Sequence, residues 1–455
     1  MTIRSAHTAL FSRSRRLAAI VAVGIATASV LSACAPPGAS TAPVDSAPAS
    51  TDLGTEEITL DIVTDTPGVD ALKEHGEGFM KLHPNVTVKV TGQDFNTLIT
   101  NAPRLLASGD VPDLVRLASF GNLVKDKLIS PLDDYAEAYG WDQWPQSQFA
   151  SLRSNEEGTV RGKGKLYGAG PGYGLTGVYY NKAILDELGG ALPTTLDEFE
   201  ALLQQAHAAG YTGLLTQGKD GGLTYPLQNL IMNFGGAEPV QAWNFNEPGA
   251  TIDTSATVEA AATLQSWSDR GLINADTNSV DFTSAPVEFQ KGRSLFWASG
   301  NWSAPGADNA MPGNVGFFLF PSMNATDPRY GMSASYILSV PSKSDQKDAA
   351  AAFLDYVQTD PGARQVTFDQ IGLLPAGPED APALTAAPGA QADTLTQFAE
   401  AFASNGLVEF MANATASMSV STLIPQTQLL VTGKVTPEAF AAKVQADYEA
   451  SLGGR

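Results

Sequence analysis

The stretch "KLYGAGPGYGLTGVYYNK", residues 165–182, constrains the fold more than any other part of the sequence. Within it, "GYGLTG" at 172–177 has the spacing G-x-G-x-x-G, which in dinucleotide-binding proteins opens a helix facing the pyrophosphate. Here Gly177 is followed by "VYYN", a β-branched and aromatic run typical of a strand, and a helix is predicted only from about Lys182. The sequence therefore disfavours NAD binding. It predicts that the glycines let the backbone turn, cross between two parts of the fold and approach a neighbour closely.

Periodic patterns around this stretch predict an α/β fold. "EITLDIVT" (57–64) alternates apolar with smaller or polar residues, "VDALKEHGEGFMKLHP" (69–84) has apolar residues at helical spacing, and "NVTVKVTG" (85–92) alternates again. Strand, helix and strand in this order are typical of a mostly parallel sheet covered by helices. A second set begins near residue 165, so we predict two α/β lobes, with a ligand cleft between them.

The N-terminus has the features of an export signal. Four arginines precede an apolar run from Leu17 to Ala33, and "LSAC" ends at Cys34. The alternative is a membrane anchor, but the run is short and rich in small residues. We predict a signal peptide over 1–33 and, from the Pro-, Ala-, Ser- and Thr-rich composition that follows, a flexible tether over 34–55. Cys34 is the only cysteine, which excludes an internal disulfide and a cysteine metal cluster.

The charge balance argues against nucleic acid as a partner. The formal net charge is −21, so a phosphate backbone would be repelled, and a neutral ligand fits better. The same acidity keeps open a cationic ligand such as a polyamine.

Signatures of catalysis are scarce. His75, His83 and His207 are not paired at metal-ligand spacing, and we expect them at the surface. G-x-S-x-G and H-E-x-x-H are both absent. Carboxylates are abundant, so a glycosidase pair on separate loops stays an alternative.

Aromatic residues beside Gly, Asn or Ser are candidates for a sugar site. Sugars stack their C–H faces on aromatic rings while small polar side chains hydrogen-bond the hydroxyls. This neighbourhood surrounds Tyr173, Trp243, Trp302 and Tyr336. The competing interpretation for each is a core aromatic, which we expect for Trp267 and Trp297.

Several segments, in their order and spacing, resemble one family. They are "LSAC", which resembles the lipobox of bacterial lipoproteins, "PDLV" (112–115), "KLYGAGPGYGLTGVYYNKAIL" (165–185), "PTTLDEFEALL" (193–203), "FQKGRSLFWASGNW" (289–302), "GMSASYILSVPSKS" (331–344) and "GLLPA" (372–376). Over roughly 57–450 the chain is similar to the extracellular solute-binding proteins of bacterial ABC transporters, in the sugar-binding group that includes maltose-binding protein.

The resemblance implies an α/β fold of the type II periplasmic-binding-protein kind, with a cleft between two lobes joined by hinge segments. We expect lobe 1 over 56–167 and 314–370, and lobe 2 over 168–313 and 371–455. It also implies a non-enzymatic subunit without cofactor or metal. This subunit would act as a monomer, be anchored by acylated Cys34 on the extracytoplasmic face of the cell membrane, and deliver a neutral mono- or oligosaccharide to a permease. A surface-tethered carbohydrate-active enzyme and a binder of polyamine or peptide are the alternatives.

Candidate ligand-binding residues follow from the positions that match the family's segments and from the strand ends facing the cleft. They are Asp65, Asp94, Ser119, Phe120, Tyr173, Tyr225, Trp243, Asn301, Trp302, Met332 and Ser333. The first loop, "DTPG", is shorter than the family's usual one, which weakens the assignment of Asp65.

Overall fold

The computed structural model describes residues 49–453. The signal peptide predicted over 1–33, the acylation site Cys34 and the first part of the predicted tether lie outside the described residues. Within the described range, regular structure begins at Ile58.

Short strands and helices alternate along most of the chain. The strands are β1 (Ile58–Asp65), β2 (Val86–Gln93), β3 (Leu114–Leu117), β4 (Arg153–Ser154), β5 (Lys165–Leu166), β6 (Gly172–Asn181), β7 (Thr212–Leu215), β8 (Ser294–Gly300), β9 (Val315–Phe318), β10 (Gly331–Ser335), β11 (Ile337–Ser339), β12 (Leu374–Pro375) and β13 (Leu407–Val408).

The helices cover the sheets and fill the connections between strands. They are α1 (Val69–Leu82), α2 (Phe95–Ala107), α3 (Gly121–Lys125), α4 (Asp133–Ala138), α5 (Lys182–Glu187), α6 (Leu196–Ala208), α7 (Thr224–Gly235), α8 (Ala237–Asn244), α9 (Ser255–Asp269), α10 (Ser284–Gln290), α11 (Ala304–Ala310), α12 (Lys347–Thr359), α13 (Pro361–Val366), α14 (Ala390–Ala403), α15 (Ile424–Leu430) and α16 (Pro437–Gly453). The start of α6 is set locally, because Thr195 and Glu198 form a reciprocal capping box.

The first lobe is built on a sheet with strand order β11-β3-β1-β2. Strands β1, β2 and β3 are parallel, and β11 runs antiparallel to β3. Leu60 and Ile62 of β1 point into a core with Leu72 and Phe79 of α1. Because the carboxyl ends of parallel strands meet at one edge, Asp65 at the end of β1 and the residues after β3 lie at the same edge of the sheet.

The second lobe is built around β6. The strand order is β13-β10-β6-β8-β7, and β9 and β12 also pair with β6. Partners along both of its edges and helices on both of its faces leave nearly every residue of β6 buried. This central position explains why "GYGLTGVYYN" reads as a strand without polar alternation.

The chain crosses between the lobes along three segments of the described range. Ala169 packs in the core of the first lobe and Leu175 in the second; the chain returns between Met332 and Tyr336 and crosses again between Leu373 and Leu374. Residues 314–335, which we expected in lobe 1, belong to lobe 2 instead, since β9 and β10 both pair with β6.

The glycines of the opening stretch are needed for close approach rather than for unusual dihedral angles. A Cβ on Gly170 would overlap the carbonyl oxygen of Tyr336, one on Gly172 would lie 2.5 Å from the carbonyl oxygen of Leu374, and one on Gly177 would lie 2.5 Å from the Phe317 ring. None of these three glycines has a positive φ. The crossing segments therefore pack backbone against backbone, where a side chain would not fit.

One histidine departs from the sequence expectation. His75 is fully buried on the inner face of α1, where its Nε2 lies 3.0 Å from the carbonyl oxygen of Ala363. His83 is half-buried and His207 is exposed. The expectation of a surface position was wrong for His75, because its turn of α1 faces the core.

Candidate functional site

A narrow pocket lies between the two lobes, with a cavity volume of about 30 Å³. Its first-lobe wall comes from α2 and from the segment after β3, and its second-lobe wall from the turns that follow β13. The lining residues are Ile99, Ala102, Pro103, Leu117, Ala118, Ser119, Phe120, Asn122, Leu123, Ala412, Thr415, Ala416 and Ser419. A space of this size holds one or two waters, so in this conformation the lobes are nearly closed on one another.

The first lobe places a charged cluster at the ends of its parallel strands. Asp65, the last residue of β1, accepts a hydrogen bond of 2.5 Å from the hydroxyl of Tyr336 and lies 3.8 Å from Nε of Arg116. The guanidinium of Arg116 lies over the Tyr336 ring at 4.1 Å and over the Phe95 ring at 5.3 Å. The Asp65 charge is thus compensated before any ligand is present. Burial holds the pKa of Tyr336 well above its usual range, so its hydroxyl stays protonated.

The second lobe contains an aromatic cluster just after β8. Trp302, just after β8, meets Tyr225 of α7 at 6.1 Å and Phe410 at 6.4 Å between ring centroids, both edge to face. A Cβ on Gly300 would overlap the Trp302 ring, and one on Gly174 would lie 3.2 Å from it. Two glycines on adjacent strands therefore make the room in which this indole lies flat on the sheet. Trp302 and Phe410 are only half-buried, so the cluster is accessible to a ligand.

A buried ion pair joins the lobes. Arg161, on the loop of the β4–β5 hairpin, lies 3.3 Å from Glu409 of the second lobe, and each side chain is 2% exposed. The guanidinium also donates to the carbonyl oxygens of Asn413 at 2.8 Å and Ser151 at 3.0 Å. Burial raises the pKa of Glu409, whereas the charge of Arg161 lowers it.

The structure separates the candidate residues into those at the pocket and those elsewhere. Ser119 and Phe120 line the pocket. Asp65 belongs to the charged cluster of the first lobe, and Tyr225 and Trp302 belong to the aromatic cluster of the second.

Other candidates have local structural roles. Asp94 caps α2 by accepting from the backbone N–H of Thr97 at 2.9 Å. The buried side chain of Asn301 is used by β6, since it accepts from the N–H of Leu175 at 2.9 Å and donates to the carbonyl oxygen of Tyr173 at 3.0 Å. Met332 is fully buried in the core of the second lobe. Both Asn301 and Met332 are fully buried, so neither side chain reaches a ligand in this conformation.

The remaining candidates, Trp243, Tyr173 and Ser333, differ in their surroundings. Trp243 is fully buried in α8, stacks on Tyr448 at 4.4 Å and donates to Gln445, so it is a core residue and not a platform for a ligand. Tyr173 stacks on Phe398 at 6.2 Å and donates from its hydroxyl to the carbonyl oxygen of Gln148. Ser333 is half-buried on β10, opposite Leu175.

Four residues of the site were not identified from the sequence: Arg116, Arg161, Phe410 and Thr415. Arg116 opens the segment "RLASF", from which only Ser119 and Phe120 were selected. Arg161 and Glu409 are 248 positions apart, and no local pattern relates them. Phe410 stands beside Glu409 in a segment without periodicity.

The described residues offer half-buried aromatic rings in the second lobe and polar side chains along the pocket, and these groups suit stacking and hydrogen bonds rather than covalent chemistry. Among residues 49–453, no group of three or more His, Cys, Asp or Glu side chains is placed to hold a metal ion. The same part of the chain contains no helix that is both long enough and apolar enough to cross a membrane.

Comparison with known proteins identifies one matching family model. The model described as "Bacterial extracellular solute-binding protein" matches residues 65–364. Its match begins at Asp65 and ends within α13, so it includes both lobes and the crossing segments around residues 170 and 335.

Sequence and structure comparisons agree with this match. The multiple sugar-binding protein of Streptococcus mutans is 25% identical over 313 residues, which cover 67% of this chain and 72% of that protein. The GacH receptor of Streptomyces glaucescens, solved unliganded and with acarbose, superposes with a TM-score of 0.70 at 22% identity, covering 87% of this chain and 99% of the receptor. A chitin oligosaccharide binding protein superposes with a TM-score of 0.71 at 21% identity, covering 88% of this chain and all of that one. The predicted two-lobed α/β fold is confirmed.

Proposed function

Because this chain belongs to the family of bacterial extracellular solute-binding proteins, we propose that it captures a neutral mono- or oligosaccharide between its lobes and delivers it to the permease of an ABC transporter. Relatives with names that refer to sugars support this choice of solute.

The aromatic cluster of Tyr225, Trp302 and Phe410 carries the proposal. An indole laid flat on two glycines, with aromatic rings at its edges, offers an apolar face of about the size of a pyranose ring. Such a face would stack on the C–H groups of a sugar and would contribute little to the binding of a small ion.

The charges in the first lobe favour a neutral ligand over a polyamine. A polycation needs carboxylates that are free to pair with it, whereas Asp65 is held by Arg116 and Tyr336. Asp94 already accepts from the N–H and the hydroxyl of Thr97 at the start of α2. Polar groups that are charge-compensated can still hydrogen-bond the hydroxyls of a sugar.

Ligand entry requires the lobes to separate. A pocket of about 30 Å³ is far below the several hundred Å³ that a small-molecule site needs. The three crossing segments, near residues 170, 335 and 373, are where a hinge rotation would occur. A sugar that contacts both walls would then shift the population towards the closed form, and the permease would recognise that form.

Membrane attachment is proposed from "LSAC" and from the tether-like composition after it. A Cys34→Ser variant should lose the acyl chains and be released from the cell, whereas the wild-type protein should partition with membranes. Equal partitioning of both proteins would refute the anchor without affecting the proposal for sugar binding.

Calorimetry after a thermal-shift screen tests the function. Maltose, raffinose, galactose and chitin oligosaccharides should include at least one sugar that raises Tm. Trp302→Ala should weaken the binding of that sugar by about 1–3 kcal/mol, the range for aromatic stacking. Phe402→Ala is the matched control, because Phe402 is 53% exposed on α14 and is outside the aromatic cluster.

The alternatives give distinct outcomes in the same experiment. A rise in Tm with spermidine or peptides, and with no sugar, would show that the ligand is a cationic or peptidic solute. Hydrolysis of a bound oligosaccharide, abolished by one carboxylate substitution, would establish an enzyme.

A further inference from the structure

A second, smaller pocket adjoins the first at the junction of the lobes. The two pockets share Ser119, Asn122, Thr415 and Ala416, so they are parts of one space. The smaller one is also lined by Arg161 and Asn246, which makes it the more polar end. Its volume of about 10 Å³ matches a single water or hydroxyl group.

Two buried polar atoms of residues lining this pocket have no hydrogen-bond partner. They are Nε of Arg161 and Oγ1 of Thr415. Arg161 is 3% exposed and Thr415 is 5% exposed, so bulk water does not reach either side chain freely. A buried polar group without a partner keeps its desolvation cost, so a molecule that supplies the missing hydrogen bond is stabilised there.

The rest of the pocket holds these groups in place. Both Nη atoms of Arg161 donate hydrogen bonds, to Glu409, Asn413 and Ser151, and Nε is the guanidinium nitrogen without a partner. Asn246 donates to the carbonyl oxygen of Ala414 at 2.9 Å and so anchors the residue before Thr415. A hydroxyl group that enters the pocket would accept from Nε of Arg161 and exchange a hydrogen bond with Oγ1 of Thr415.

The charges around the smaller pocket indicate which kind of ligand group would bind there. Glu409 lies 3.3 Å from the guanidinium and compensates its charge, so a carboxylate or phosphate in the pocket would meet no net positive charge. A group that both accepts and donates, and that carries no charge, fits the pair of free atoms better.

We propose that this pocket is a terminal subsite of the cleft. It binds one hydroxyl of a saccharide through Arg161 and Thr415 and thereby determines the orientation in which the sugar binds. The inference rests on the proposed function, because it assumes a polyhydroxylated ligand on the aromatic cluster. It adds a specificity-determining contact at the polar end of the pocket.

Substitution of Thr415 tests the subsite with the sugar that gives the largest thermal shift among maltose, raffinose, galactose and chitin oligosaccharides. Thr415→Val keeps the shape and removes the hydroxyl, and should weaken binding about tenfold. Thr415→Ser restores the hydroxyl and should recover most of the affinity. Thr263→Val, on the outer part of α9, is the matched control and should bind as the wild type does.

Ligand-free stability separates this role from a structural one. Since Thr415→Val removes an unpartnered buried hydroxyl, its Tm without sugar should equal or exceed that of the wild type. A lowered Tm together with unchanged affinity would show that Thr415 supports the fold only, and would overturn the subsite.

A second substitution addresses the other contact. Arg161→Lys keeps a positive charge near Glu409 but lacks the Nε–H, so it should also lose about tenfold in affinity. Wild-type affinity in both Thr415→Val and Arg161→Lys, with binding lost in Trp302→Ala, would refute the subsite and leave the sugar function standing. Failure of every sugar to bind the wild type would refute the proposed function, and the subsite with it.

Discussion

Replacing Glu409 by glutamine should destabilise the protein far more than the same replacement in an exposed ion pair. Glutamine keeps an acceptor for the N–H of Phe410 and the amide of Asn413, which lie 3.0 Å and 2.8 Å from Oε1. It removes the charge opposite Arg161, whose side chain is 2% exposed, and it replaces the Oε2 acceptor of the Arg161 guanidinium by an amide NH₂. Breaking one side of a buried pair costs about 3–5 kcal/mol, because the remaining charge stays desolvated.

The expected loss can be converted to a melting temperature. At about 2 cal/mol/K of unfolding entropy per residue, a folded region of about 400 residues would lose about 4–6 °C in Tm for that cost. Because Arg161 is carried by the first lobe and Glu409 by the second, this loss falls on the contact between lobes. Differential scanning calorimetry with the sugar from the thermal-shift screen bound, which keeps the lobes closed and the pair buried, measures this loss.

An exposed pair supplies the control for this measurement. Glu288 lies 2.6 Å from Lys291, closer than Glu409 lies to Arg161, yet these side chains are 42% and 47% exposed. Glu288→Gln should therefore change stability by less than about 1 kcal/mol. Equal losses in the two variants, or no loss in Glu409→Gln, would refute the argument that burial rather than distance decides the contribution of the pair.

Three further predictions test the fold and the assignment of residues. Burial lowers the pKa of His75 from 6.5 to about 4, so between these pH values the unfolded chain binds more protons than the folded chain. The free energy of unfolding should therefore fall by about 3 kcal/mol as the pH falls from 6.5 to 4. Urea denaturation of His75→Gln should give a flatter profile over this range, and parallel profiles would contradict the shift. Gly170→Ala should lower the free energy of unfolding by about 3 kcal/mol, because the new Cβ would overlap the backbone of Tyr336. Gly306→Ala in α11, where the new Cβ has no neighbour, should be neutral or stabilising. Equal effects of the two substitutions in urea denaturation would argue against close packing at the crossing. Trp243→Phe should lower Tm and leave the sugar affinity measured by calorimetry unchanged. A loss of affinity at unchanged Tm would show that Trp243 contacts the ligand.

Local patterns in the sequence were sufficient for the class of fold. Alternation over 57–64 and 85–92 predicted β1 and β2, and the apolar spacing between them predicted α1. The run "VYYN" after Gly177 indicated a strand where the glycine spacing alone indicated a nucleotide site, and β6 is that strand. Such signals work because the preference of a residue for a strand or helix depends on neighbours within a few positions.

The assignment of segments and side chains to their places needed the tertiary structure. Residues 314–335 contain β9 and β10. The lobe that they join depends on their pairing with β6, in which Val315 pairs with Asn181, more than 130 positions earlier in the chain. Trp243 and Trp302 are both tryptophans beside polar residues, yet Trp243 packs in the core and Trp302 lies against Gly174 and Gly300 and is half-buried.

The sequence by itself determined the alternating α/β elements, the glycine-rich crossing and, through its resemblance to one family, the two-lobed arrangement. Only the tertiary structure decided that Arg161 meets Glu409, that Asn301 is used by β6, and that Thr415 faces the pocket without a partner. The physical reason is that burial and hydrogen-bond satisfaction are properties of contacts between distant parts of the chain. Free energies of pairing and desolvation therefore appear only once the lobes have packed.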